Sequence, residues 1–154
     1  MSMLAAIRPD AVNLPLFLHV LGAMLLVGAL AMVAVAILAG RRDDERAVAL
    51  TRFGLRAIPY AVLPAYILMR VAGQWTEAEQ DYPEEFDAAW IGIGYMTSDL
   101  GALLLLVSLV LAGVGLRKLR SGGGLGFGRA VAIISLILLA AYVVAVWAMS
   151  AKPA

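Results

Sequence analysis

The chain has 154 residues, 63% of them apolar, no cysteine and a formal net charge of +1. An ordinary soluble domain is about half apolar, so this composition excludes one, and the near-neutral charge excludes bulk electrostatic attraction to nucleic acid. Without cysteine there is no disulfide, no thiolate metal site and no thiol redox chemistry.

The apolar residues fall into four blocks, each longer than the roughly 18–20 residues that cross about 30 Å of hydrocarbon as a helix. No run alternates with the period of two expected of a membrane barrel strand. The expected fold class is therefore all-α: an integral membrane four-helix bundle forming one domain, with the lipid bilayer as its first partner. The opening residues, MSMLAAIRPDAV, lack the basic region and small-residue cleavage pattern of a signal peptide, so the first apolar run is expected to remain as a span.

Helix 1 is expected from about 14 to 39, with Asn13 as cap and Pro15 in the first turn, ending at Gly40 before RRDDER. Helix 2 is expected from about 52 to 73; its Pro59 and Pro64 remove backbone donors, predict a kink and leave carbonyls for another group to satisfy. An acidic loop over about 74–89 follows. Within it Tyr82, Phe86 and Trp90 recur at i, i+4 and i+8 after Pro83. That pattern fits a short amphipathic piece lying on the interface, or an aromatic belt with a solvated loop. Helix 3 is expected from about 90 to 116 and helix 4 from about 129 to 149. The glycines at 122–124 between them read as a flexible hinge; a phosphate-cradling loop would need a preceding strand and a following Gly-Lys-Ser/Thr.

Loop charge orients the bundle. Arg41, Arg42, Arg46, Arg52 and Arg56 surround the first loop, Arg117, Lys118, Arg120 and Arg129 the third, and the middle loop QWTEAEQDYPEEFDAAW carries only acids. The positive-inside rule then puts the first and third loops in the cytoplasm, with both termini and the acidic loop on the outer side of a bacterial-type plasma (inner) membrane.

Ionisable groups within a bilayer are costly and mark function or a buried pair. Clear of the cytoplasmic ends there are three, His19, Arg70 and Asp99, on helices 1, 2 and 3. Placed by the orientation, His19 lies about 8 Å and Asp99 about 13 Å below the outer edge, with Arg70 near the same edge. Tyr66 is four residues before Arg70; Tyr95 and Met96 are four and three residues before Asp99, so each set shares a face. Helix 4 adds Tyr142 and Met149. The expected pocket opens outward over an apolar cytoplasmic floor. Its candidate cofactor-binding residues are His19, Arg70, Asp99, Tyr66, Tyr95 and Met96.

A neutral imidazole binds iron well, and membrane bundles host haem between facing helices. His19 is thus the candidate metal ligand, above all as an axial ligand of haem b. The small Gly22–Ala23 face beside it is expected to admit a flat ring, with Arg70 pairing a propionate. The chain has one histidine, so within one subunit a second axial ligand would be Met96 or Met149, or an open position. Copper is the alternative metal, since one histidine with thioethers suits Cu(I); Met24, Met32 and Met69 read as core filler. The plain structural readings are that Arg70 snorkels to the interface, that Arg70 and Asp99 pair between helices, and that His19 bonds a proline-freed carbonyl. Gly22, Ala23, Gly28, Gly101 and the AGVG at 112–115 would then serve close helix packing.

The segment LHVLGAMLLVG in helix 1 resembles the copper-resistance-D-like superfamily of four-helix membrane proteins, which includes the HemJ-type protoporphyrinogen oxidases. LMRVAGQW, WIGIGYMTSD and VWAMSAKP are similar to an uncharacterised integral membrane family within it. The resemblance implies a four-helix bundle and, for HemJ-type members, haem b bound through the helix-1 histidine, here His19. Leu26 stands where the HemJ pattern has tryptophan, and helix 3 has no lysine before Lys118, Asp99 being the nearest polar residue in kind. Porphyrinogen oxidation is implied by resemblance alone; no nucleophile–base set, zinc motif or nucleotide fingerprint points to an enzyme.

The expected function is haem or related cofactor binding in the outer half of the membrane, for electron transfer. The alternatives are a small proton- or ion-coupled transporter gated by Asp99 and His19, and a structural subunit of a larger membrane complex. The small-residue faces point to a homo-oligomer.

Overall fold

The computed structural model describes residues 10–40, 45–80 and 89–151. Helix α1 spans Asp10–Ala39, α2 Glu45–Ala57, α3 Leu63–Ala78, α4 Ala89–Arg120 and α5 Gly126–Ala151. A π-helical turn, Ile58–Val62, joins α2 to α3 without a break. The result is four continuous rods, each long and apolar enough to cross a membrane, as hydropathy predicts. Among the described residues there is no strand.

The rods are longer than the apolar blocks, because flanking residues such as Glu45–Arg46 and Gln74–Ala78 continue the helical bonding. Pro15 lies inside α1 rather than in its first turn. Its missing N–H forfeits only the bond to the Ala11 carbonyl, one turn from the start of the described helix. The second rod begins at Glu45, not near Arg52: Ala47, Thr51, Gly54 and Leu55 form a buried stripe while the arginines stay on the other side. It also runs through Gly73 to Ala78, so the acidic loop begins only after α3. The added turn is held by Thr76 Oγ1 donating to the Ala72 carbonyl at 2.7 Å and Trp75 Nε1–H donating to Glu79 Oε1 at 3.1 Å. The aromatic repeat proposed for Tyr82 and Phe86 falls outside the described residues; Trp90 lies in the first turn of α4.

Pro59 and Pro64 are accommodated by widening the helix. Pro59 sits in the π turn, where the Leu63 N–H donates to the Ile58 carbonyl five residues back, and Pro64 follows at once as the second residue of α3, where it withholds a donor from the Tyr60 carbonyl. Arg117, Lys118 and Arg120 form the last turn of α4, favourable at the negative end of its dipole. The glycine run is not a slack hinge. Gly122 adopts φ +74°, and the Gly123 N–H donates to the Lys118 carbonyl at 2.8 Å, closing a Schellman cap.

Helix α1 packs between α3 and α5; α5 packs also on α4, and α2 on α1, α4 and α5. Leu26, Leu30 and Val33 of α1 are buried with Leu55, Ile58, Val62, Val131 and Leu138 in the core. Small residues set the crossings. A Cβ at Gly22 would lie 2.6 Å from the Met69 backbone nitrogen, so α1 and α3 touch main chain to main chain. Gly54 gives way to Ile37, Gly115 to Leu55 and Phe127, and Gly101 to the Tyr142 ring. Gly28 and Gly113, expected to pack, have nothing within 4 Å. By contrast α3 and α4 hardly touch, and that seam runs beside the site.

Candidate functional site

At the acidic end the four rods enclose a cavity of about 350 Å³. Its walls come from His19, Ala23 and Val27 of α1, Met69, Arg70 and Gly73 of α3, Trp90, Gly94, Tyr95 and Ser98 of α4, and Tyr142, Ala145 and Met149 of α5. Towards the basic end it gives onto the closed core at Leu26 and Leu30, the apolar floor expected from sequence.

His19 is fixed by the facing helix. Its Nδ1 lies 2.8 Å from the Met69 carbonyl oxygen. A carbonyl only accepts, so Nδ1 carries the proton and donates, and in a neutral ring Nε2 is the nitrogen with the lone pair. Among the described residues Nε2 has no hydrogen-bond partner. The acceptor is not a proline-freed carbonyl: Pro64 withholds its donor from Tyr60 and Pro59 from Leu55, two turns or more from Met69. Gly73 makes the room, since a Cβ there would lie 2.8 Å from Nδ1 and 3.0 Å from Cε1 of the ring. Gly22 does not leave space for a ligand; the Met69 backbone fills it, and only Ala23 of that pair faces the cavity.

Arg70 and Asp99 form an ion pair, Nη2 to Oδ1 at 2.8 Å. The two are placed differently. Arg70 lines the cavity with its side chain 26% exposed, whereas Asp99 is 67% exposed and lies outside the wall. The guanidinium also stacks over Tyr95, 5.2 Å from the ring centroid. Tyr95 O–H donates to Glu77, and Tyr66 O–H donates to the Ser98 carbonyl at 3.1 Å. Tyr66, Arg70 and Glu77 on α3 thus meet Ser98, Asp99 and Tyr95 on α4, and polar side chains bridge a seam that backbone packing leaves open.

Of the six candidate site residues, His19, Arg70 and Tyr95 line the cavity. Tyr66 braces the seam behind it and Asp99 is the outer partner of Arg70. Met96 is displaced from the expected role: it is 76% exposed on the outside of the bundle, one helical step off the face that carries Tyr95 and Ser98. The methionines on the cavity wall are Met149 and Met69; Met69, which reads as core filler from sequence, is buried in the core and meets His19 with its backbone carbonyl. Two buried hydroxyls in the wall, Ser98 Oγ and Tyr142 OH, have no hydrogen-bond partner among the described residues. Gly73 and Gly94, the latter giving way to the Met149 methyl, are cavity-forming residues that sequence reasoning missed. A small residue in a span signals close approach but not what approaches.

Among the described residues no cluster of three or more histidine, aspartate or glutamate side chains is placed to hold a metal ion. A haem asks for one protein ligand and has its own four nitrogens, so a single imidazole with an unpartnered Nε2 and a nearby cation suit it, in a cavity that is apolar at Ala23, Val27 and Ala145 and polar at Gln74, Glu77 and Gln80. Compared with protein-family models, with curated proteins and with solved structures, the chain matches none of them.

Proposed function

We propose that this is a multi-pass protein of a bacterial-type plasma membrane that binds haem b in its outer-half cavity for electron transfer, and that His19 Nε2 would hold the iron. One observation carries the reading. The Nδ1–H to Met69 carbonyl bond fixes the tautomer and orientation of the ring and raises the basicity of Nε2, as the outer partner of a metal-binding histidine does. Arg70 is the partner for an anionic edge of the ring, having donors to spare beyond the one given to Asp99. When bound, haem supplies a one-electron couple. The chain's own contribution would be the imidazole, the cation and the apolar side of the cavity at Ala23, Val27 and Ala145. The acidic end faces outward, on the charge asymmetry of the loops.

Purified protein titrated with haem b is expected to develop a Soret band at one haem per chain. His19→Ala should abolish it, and Met96→Leu should leave it unchanged. No Soret band in the native protein, or an equal band in His19→Ala, overturns the reading. Copper is the second reading, favoured by the presence of Met149 and Met69 around the same cavity as His19. It predicts one copper per chain in protein purified without added haem, lost in both His19→Ala and Met149→Leu.

A further inference from the structure

On the α4–α5 side of the cavity, two glycines receive two large side chains. A Cβ at Gly94 would collide with the Met149 methyl, and one at Gly101 with the Tyr142 hydroxyl. Between these two contacts the antiparallel register puts Ser98 of α4 opposite Ala145 of α5, both small and both on the cavity wall. Two hydroxyls converge on that gap. Tyr142 OH rests against Gly101, and Ser98, three residues before Gly101, is its neighbour on the same face of α4. Ser98 is 6% and Tyr142 4% exposed, and neither Ser98 Oγ nor Tyr142 OH has a hydrogen-bond partner among the described residues. Unpaired hydroxyls are costly to bury. Two of them on one cavity wall point to an occupant that bonds both. The other unpaired hydroxyls among the described residues, those of Ser108 and Ser135, do not line this cavity.

We propose that this gap takes the hydroxyl of a neutral, phenol-class ligand, which accepts from one of the two side-chain hydroxyls and donates to the other. Serine and tyrosine hydroxyls bring no charge to the gap, and an ion buried against them alone is costly, so the bound oxygen is neutral. A phenolic O–H both donates and accepts, as its two partners do. The surroundings suit a single ring. Ala23 and Ala145 give it flat apolar surface, and the Met149 thioether and the Trp90 ring are favourable neighbours for an aromatic edge. The cavity, at about 350 Å³, lies at the small end of the range of about 300–1,000 Å³ that holds small molecules. The proposal goes beyond the cofactor reading and does not rest on it, since the gap uses neither His19 nor Arg70.

The test is photolabelling of the full-length protein in nanodiscs, without added haem, followed by peptide mapping. The probes are a diazirine-bearing phenol, its methyl ether and the matching benzoate. The phenol is expected to label residues 94–101 and 142–149 about tenfold more than the ether, which donates nothing, and more than the benzoate. Tyr142→Phe and Ser98→Ala should each lower phenol labelling about fivefold, as loss of one hydrogen bond does, and leave ether labelling unchanged. Ser108→Ala, which removes an equally unpaired hydroxyl away from the cavity, should change neither. Unfolded without any probe, Tyr142→Phe should be no less stable than the native protein, because its hydroxyl has no partner to lose. Equal labelling by phenol and ether, as when the gap holds only water, overturns the proposal. So do stronger labelling by the benzoate, phenol labelling that neither cavity variant lowers, or a less stable Tyr142→Phe. If a variant does not fold, the comparison of the three probes on the native protein decides. A missing Soret band leaves this result untouched, and a failed labelling leaves the haem titration untouched.

Discussion

The imidazole of His19 is oriented by a backbone oxygen fifty residues away, that of Met69. The bond is short because Gly73 has no side chain where the ring lies. Gly73→Ala would place a methyl 2.8 Å from Nδ1; the ring must then turn away from the Met69 carbonyl. Since loss of such an outer partner weakens metal binding by about 10–100-fold, haem affinity in the Soret titration should fall within that range while far-ultraviolet circular dichroism keeps its helical signal. Unchanged affinity would mean that the orienting bond is not what prepares Nε2. Asp99 and Met96 show the same dependence on direction. Both stand within four residues of Tyr95, yet both lie off the cavity wall, because each is one step round α4 from a wall position, Met96 from Tyr95 and Asp99 from Ser98.

Close approach of the rods decides how each helix contributes. Gly22 is the tightest crossing, α1 against the main chain of α3 at Met69. Gly22→Ala should destabilise the bundle by about 1–3 kcal/mol, the range for overpacking, and should also pull the Met69 carbonyl off His19. Gly28, one and a half turns on, meets nothing within 4 Å. Gly28→Ala should be neutral or stabilising by up to about 1 kcal/mol, through helix propensity alone. Chemical unfolding of the two variants in the same detergent checks the contrast, and equal destabilisation would refute the crossing. The two prolines of the second rod sit at a local adjustment: Pro59 lies within the π turn Ile58–Val62, where the Leu63 N–H donates to the Ile58 carbonyl, and Pro64 follows as the second residue of α3 without a break in the rod.

For the whole molecule, the side of the membrane that the cavity faces is open to direct test, because the chain has no cysteine and single cysteines can be placed at will. On the positive-inside rule, a membrane-impermeant thiol reagent added outside intact cells should label Glu79→Cys and spare Ser121→Cys. The reverse pattern would turn the bundle over and put the cavity on the cytoplasmic side.

Four spans, their order and the layer holding His19, Arg70 and Asp99 were legible in the sequence. Hydropathy and charge are sums over contiguous residues, and transfer into hydrocarbon responds to such sums without regard to partners. Helix ends were legible only to within a turn or two, since residues such as those from Gln74 to Ala78 keep helical bonding after leaving the apolar layer. Which atoms meet was decided by tertiary structure alone. That His19 bonds Met69, that Gly22 is filled by backbone while Gly73 holds the ring, and that α3 and α4 stay apart behind polar bridges all follow from how four rods rotate and cross. Rotation and crossing depend on contacts between residues distant in sequence, and no periodicity along one rod records which face of another it will meet.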